Sequence, residues 1–224
     1  MLMVDQLIGF AVGGDSAATA TFLASTVDTA NATNYTFSSQ TLRASMVVAI
    51  TRSGAATQGV SSVTVGGVSA TLGVGNVSAN GEGYCGLFHV SGVTPGTGDI
   101  VVNGSSAANR CGIATWETTG RSATPHHTAS DPYSAGDADP SVSLNIPASG
   151  FAIAAVHAAG GVGSESVTWT NLTERYDATI ESAGNVQSGA SDDFTAAETG
   201  RTITANRSDD TNQYGALVAL SFGP

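Results

Sequence analysis

The sequence predicts an all-β protein, a jelly-roll-like β-sandwich assembled from two pseudo-repeated halves. Three observations predict it. Residues 98–117 (GDIVVNGSSAANRCGIATWE) return near the C-terminus as residues 200–222, with Ile100 on Ile203, Asn103 on Asn206, Asn109 on Asn212 and Gly112 on Gly215, an ungapped offset of 103 positions. Such an internal repeat sets the architecture before any single motif does. The 28 glycines and the many Ser and Thr residues suit tight turns between short strands. Each half also reads as about seven apolar runs at the spacing that sandwiches and barrels use.

The elements follow in order. Residues 7–12 read as a first strand, and residues 16–31, rich in Ala and Thr, as irregular or one short strand. Residues 35–42 (YTFSSQTL) alternate cleanly, so one face should be buried. Residues 46–51 (MVVAIT) are apolar on both faces, the pattern of a central strand covered on both sides or of one sandwiched beneath loops. Residues 62–66 and 70–77 flank Gly66-Gly67, which supplies the positive φ of a tight hairpin. Residues 84–90, 99–103 and 110–117 complete the first half, with Pro95-Gly96 as the turn signal between the first two. Residues 118–140 have no apolar period and read as a long connection. The second half then follows as residues 141–146, 151–157, 166–169, 175–182, 192–197, 202–206 and 214–222.

These divisions make one domain over residues 1–224: an N-terminal segment 1–34, a first half 35–117, a crossover 118–140 and a second half 141–224. Two arrangements fit, one large sandwich or two small ones. The single sandwich is preferred, because a half of about 85 residues with few large apolar side chains would bury little surface alone.

Charge narrows the function. Only 11% of residues are charged and the net charge is −11, with seven scattered arginines as the whole basic complement. Nucleic acid and anionic membranes need a clustered basic face, so neither is an expected partner. The first sixteen residues lack a basic n-region and Asp5 interrupts their apolar run, so synthesis in the cytoplasm without export is expected. Cys85 and Cys111 do not make a disulfide framework and read as buried thiols.

Candidate chemistry is sparse. His126, His127, Asp131, Asp137 and Asp139 crowd the crossover and are the weak candidates for a metal or Ca2+ site, but their spacing matches neither a zinc motif nor a calcium loop. Asp192-Asp193 and Asp209-Asp210 are acid pairs near strand ends, read as turn-capping residues. No G-x-S-x-G elbow and no P-loop occur, so neither an enzymatic reaction nor a cofactor is expected. Trp116 and Trp169 lie in apolar strands and read as core, whereas Tyr133 and Tyr176 read as the candidates for contact with a ligand such as a sugar ring.

The segments RASMVVAITRSG (43–54), SSVTVGGVSATL (61–72), GTGDIVVNGSS (96–106) and QYGALVALSF (213–222) resemble β-sandwich structural proteins of tailed phages and gene transfer agents. The resemblance implies a virion component, either a capsid decoration or cement protein or part of a head spike or fibre. It further implies homo-oligomerisation, other capsid or tail proteins as partners, and no catalytic residues. The alternatives are a carbohydrate-binding receptor module of a fibre, which would contact host surface polysaccharide, and a bacterial surface adhesin module.

Overall fold

The structure is a computed structural model that describes residues 16–54, 57–134, 137, 139–159, 165–181, 184–208 and 214–224. The expected strand at residues 7–12 and the Asp209-Asp210 pair lie outside them. Seventeen strands form among the described residues, all paired antiparallel in four sheets. Sheet I has the order β2 (Ala32–Leu42), β8 (Gly96–Ala108), β4 (Val60–Val65), β5 (Val68–Ser69). Sheet II has the order β1 (Thr19–Asp28), β9 (Arg110–Thr119), β3 (Ser45–Ser53), β7 (Gly83–Ser91), β6 (Thr71–Val77). Sheet III is β10 (His127–Tyr133), β17 (Tyr214–Phe222), β12 (Gly150–Ala159), β15 (Asn185–Phe194), β14 (Glu174–Glu181). Sheet IV is β11 (Ser141–Ile146), β16 (Glu198–Arg207), β13 (Val167–Thr170).

The all-β sandwich class is the one expected, and the repeat extends to topology. Replacing β1, β9, β3, β7, β6 by β10, β17, β12, β15, β14 reproduces the order of sheet II in sheet III. Replacing β2, β8, β4 by β11, β16, β13 does the same for sheets I and IV, leaving β5 without a counterpart. Each half therefore closes its own pair of sheets around its own core, so two small sandwiches stacked through sheets II and III, four layers in all, replace the single large sandwich preferred from the sequence.

Alternation along the central strands explains the stacking. On β3, Met46, Val48 and Ile50 enter the core between sheets I and II, while Val47 and Ala49 enter the layer between sheets II and III. On β12, Ala152, Ala154 and Val156 face the core between sheets III and IV, and Phe151, Ile153 and Ala155 face the middle layer. Both strands are buried on two sides, so neither has a solvent face on which to carry charge. That accounts for a chain so poor in charged residues. Trp116 is the largest fully buried side chain of the middle layer, and its indole Nε1–H donates to Ser191 Oγ at 3.1 Å.

Polar side chains also cross between the halves, two of them seated against a glycine. Gln187 lies over Gly112, where an added Cβ would be 2.1 Å from its Oε1, and that oxygen accepts from Thr51 Oγ1 at 2.8 Å. His157 lies over Gly83, where an added Cβ would be 2.4 Å from its Nδ1. Asn185 Nδ2 donates to Ser53 Oγ at 3.3 Å.

Four further expectations need correction. Residues 16–31 contain the ten-residue β1, an edge strand whose bulge between Phe22 and Ala24 hides its alternation. The crossover contains β10, which pairs with β17 as an edge strand and so tolerates Pro132. The offset of 103 holds for β8 and β16, where Ile100 and Ile203 both enter cores, but not for β9 and β17. There it places Ile113, in the first core, on Ala216, in the middle layer; Leu217 is the core residue, so the offset becomes 104. A one-residue slip reverses every face of a strand. The Gly66-Gly67 turn forms with φ of 56° and 83°, but it joins β4 to the two-residue β5, and the expected partner strand, residues 70–77, pairs instead as β6 with β7 in sheet II.

Candidate functional site

The crossover residues do not converge. His126 is exposed, and His127 Nδ1 accepts from the Asn145 backbone N–H at 3.4 Å. Asp131 Oδ2 accepts from the Ser141 N–H at 2.8 Å. Asp137 Oδ2 accepts from the Ser134 N–H at 2.6 Å and its hydroxyl at 3.1 Å, and these bonds hold the carboxyl below its ordinary pKa. Asp139 Oδ1 takes the Arg207 backbone N–H at 3.0 Å and its Nε–H at 3.2 Å. Among the described residues no group of three or more His, Cys, Asp or Glu could hold a metal ion.

Both tyrosines singled out as surface contacts are interior residues. Tyr133 is 2% exposed; its hydroxyl donates to the His157 carbonyl at 3.2 Å and the Arg207 guanidinium sits 4.5 Å from its ring centroid. Tyr176 is 8% exposed and stacks on Phe22 at 5.7 Å, with Trp116 6.0 Å away. A register shift between Glu174 and Tyr176 sets the ring inward beside two exposed charged neighbours, which is why the sequence reads as surface there. The acid pair Asp192-Asp193 is also structural. Asp192 Oδ2 accepts from the Thr173 N–H, and Asp193 Oδ1 accepts from the Ala20 N–H, both at 2.9 Å.

Sequence reasoning missed the rim between the halves. Sheets II and III are stacked so that edge strand β1 lies beside edge strand β14, and β6 beside β10. The β6–β10 rim is closed: Asn76 Nδ2 donates to Ser130 Oγ at 3.1 Å, and Leu220 and Pro125 pack over Gly73. The β1–β14 rim instead leaves a groove of about 470 Å³ lined by Ala20, Thr21, Phe22, Glu174 and Arg175. Phe22 is half-buried, backed by Tyr176 and meeting Trp116 edge-on at 5.5 Å. Arg175 is anchored by Nε–H to Ser191 Oγ at 3.0 Å and by Nη2–H to the Ser191 carbonyl at 2.8 Å, with Asp192 3.6 Å away. Partial burial, then the Asp177 charge, raises the Glu174 carboxyl above its ordinary pKa. The one signal in the sequence is the run Glu174-Arg175-Tyr176-Asp177, three charges around an aromatic in a chain where only 11% of residues are charged.

The thiols do not line this groove. Cys111 lies in the first core and Cys85 in the middle layer, both free, on strands that flank β3. Burial pushes the Cys85 thiol up strongly and Cys111 up to about 12. Neither should react with an aromatic disulfide reagent in the folded protein at neutral pH, and both should react on unfolding in denaturant. Fast labelling of either native thiol would contradict its placement.

Comparison with known protein families, with curated proteins and with solved structures finds no match.

Proposed function

We propose that the chain is a non-enzymatic structural component of a tailed-phage virion, a capsid decoration or cement protein or a part of a head spike or fibre. The observation that carries this reading is the chemistry of the two outermost faces. On sheet IV, Thr170, Thr204 and Ser141 lie in one cross-strand row, and Asn206 pairs with Thr168 in the next. Asn206 Nδ2 donates to the Thr168 carbonyl and to Thr170 Oγ1, each at 3.0 Å, and Thr204 and Ser141 hydroxyls are 3.3 Å apart. On sheet I, Asn34, Asn103 and Ser62 form the corresponding row, with Asn103 Nδ2 donating to Ser62 Oγ at 2.9 Å.

Neutral hydroxyl and amide arrays on a sheet face pack against neighbours without stripping water from charges, whose burial costs far more. The resemblance of the strand segments to virion proteins gives the setting, and the acidic net charge of −11 keeps the chain off packaged DNA. Particles assembled with the structural genes flanking this one should contain the chain in a fixed ratio to the major shell protein. Deleting its gene should lower the temperature at which those particles release DNA. Particles that lack the chain, or whose heat resistance is indifferent to it, would overturn the reading.

A further inference from the structure

We propose that the β1–β14 groove binds a neutral saccharide ring, with Phe22 as its apolar platform and Glu174 and Arg175 as its hydrogen-bonding pair. The groove is the place where the molecule departs from its own repeat: the matching β6–β10 rim is sealed by Asn76, Ser130, Pro125 and Leu220, while this one is left open. Its volume of about 470 Å³ falls within the ordinary range for small-molecule sites. Rigid strands rather than loops position it, and Phe22 is fixed from behind by Tyr176 and Trp116.

The chemistry selects the ligand class. A pyranose presents a ring of C–H groups that lies against an aromatic side chain, and hydroxyls that both donate and accept. Glu174 accepts and Arg175 donates, so the groove matches both. The exposed Thr21 adds a hydroxyl on the opposite wall. An anionic ligand is disfavoured because Glu174 lines the groove, Asp193 is bonded to the Ala20 backbone at its edge, and the one guanidinium is already engaged by Ser191 and Asp192. A polycation would leave Arg175 opposed. A neutral ring leaves neither charge in conflict. The inference stands apart from the assembly reading: a sugar-binding chain absent from particles would keep this proposal and lose that one.

Ligand-observed saturation-transfer NMR on the full chain, with a panel of neutral hexose and N-acetylhexosamine disaccharides, tests it. At least one should bind saturably with Kd of about 1 mM or tighter, the affinity expected of one ring platform and a few hydrogen bonds. Glu174→Gln and Arg175→Ala, both at exposed positions and each checked by circular dichroism for an unchanged fold, should each weaken that binding about tenfold, equivalent to 1.4 kcal/mol. Glu198→Gln, on β16 in sheet IV, should leave it unchanged. No binding across the panel, binding that survives both groove substitutions, or tighter binding of spermidine than of any saccharide would each overturn the proposal.

Discussion

Replacing Arg52 by alanine should destabilise the protein by about 3–5 kcal/mol, the cost of deleting a large buried side chain together with its hydrogen bonds to three part-buried backbone carbonyls. Arg52 is wholly inaccessible to solvent, on β3 at one end of the first core. No carboxylate pairs with it among the described residues. Its guanidinium instead donates to three backbone carbonyls: Nη1 to Gly59, and Nη2 to Thr33 at 3.1 Å and Ser106 at 2.8 Å. Its carbon lies 6.0 Å from the Tyr35 ring centroid. One side chain thus ties the start of β2, the approach to β4 and the end of β8 to the central strand. Burial lowers its pKa, but not far enough for an arginine to lose its proton at neutral pH. Arg52→Met, which keeps most of the volume but none of the donors, should fall between alanine and the parent. Urea denaturation measures all three, and an alanine variant within about 1 kcal/mol of the parent would refute the tie.

The second half closes the equivalent end differently. Arg207, on β16, has a fully buried side chain over the ring of Tyr133 and reaches the loop that precedes β11. Here Asp139 supplies a counterion at 3.2 Å. Both sandwiches are therefore plugged by an arginine over a tyrosine, yet neither arginine nor tyrosine comes from equivalent strands.

That non-equivalence explains what the sequence could and could not reveal. The repeat was visible because core strands β8 and β16 keep Ile100 with Ile203 and Val102 with Ala205 on inward faces. The two-sided burial of β3 and β12 was visible as unbroken apolar runs. What covers the second side was not, because an apolar face fits a facing sheet and a loop equally well. Bulges then disrupt the period of two at Phe22 and Tyr176, so the strands forming the rim groove carry no readable alternation. Tyr176 looked like a surface aromatic for this reason. The crossover shows no apolar period in the sequence because β10 is an edge strand with only every second residue partly buried, and those include His127 and Asp131.

Lowering the pH from about 7 to about 4 should cost the protein about 3 kcal/mol of stability through His157 alone. The imidazole is fully buried in the middle layer, and neither Nδ1 nor Nε2 has a hydrogen-bond partner. Around it, β7 brings Gly83 and Cys85, β15 brings Gln187, and β10 brings the Tyr133 hydroxyl to its carbonyl; none of these is charged at neutral pH. Burial without a counterion lowers its pKa from 6.5 to about 4. Between those values the unfolded chain binds a proton that the folded chain refuses, so stability is highest above 6.5 and falls as the pH drops toward 4. His89, at the same layer and edge-on to Phe222 at 5.5 Å, is lowered by burial and by Arg121 and adds to the loss with the same sign. Glu174 and Asp177, whose pKa values are raised mainly by burial, act with the opposite sign, so the raw profile is not a clean measure. The difference between the parent and His157→Leu is. An apolar side chain of similar size removes two unpaired nitrogens, so the variant should match or exceed the parent at neutral pH and outlast it increasingly as the pH falls. Denaturation midpoints that decline in parallel for the two proteins would show that the acid sensitivity lies elsewhere. A widening gap would place it where the two sandwiches meet.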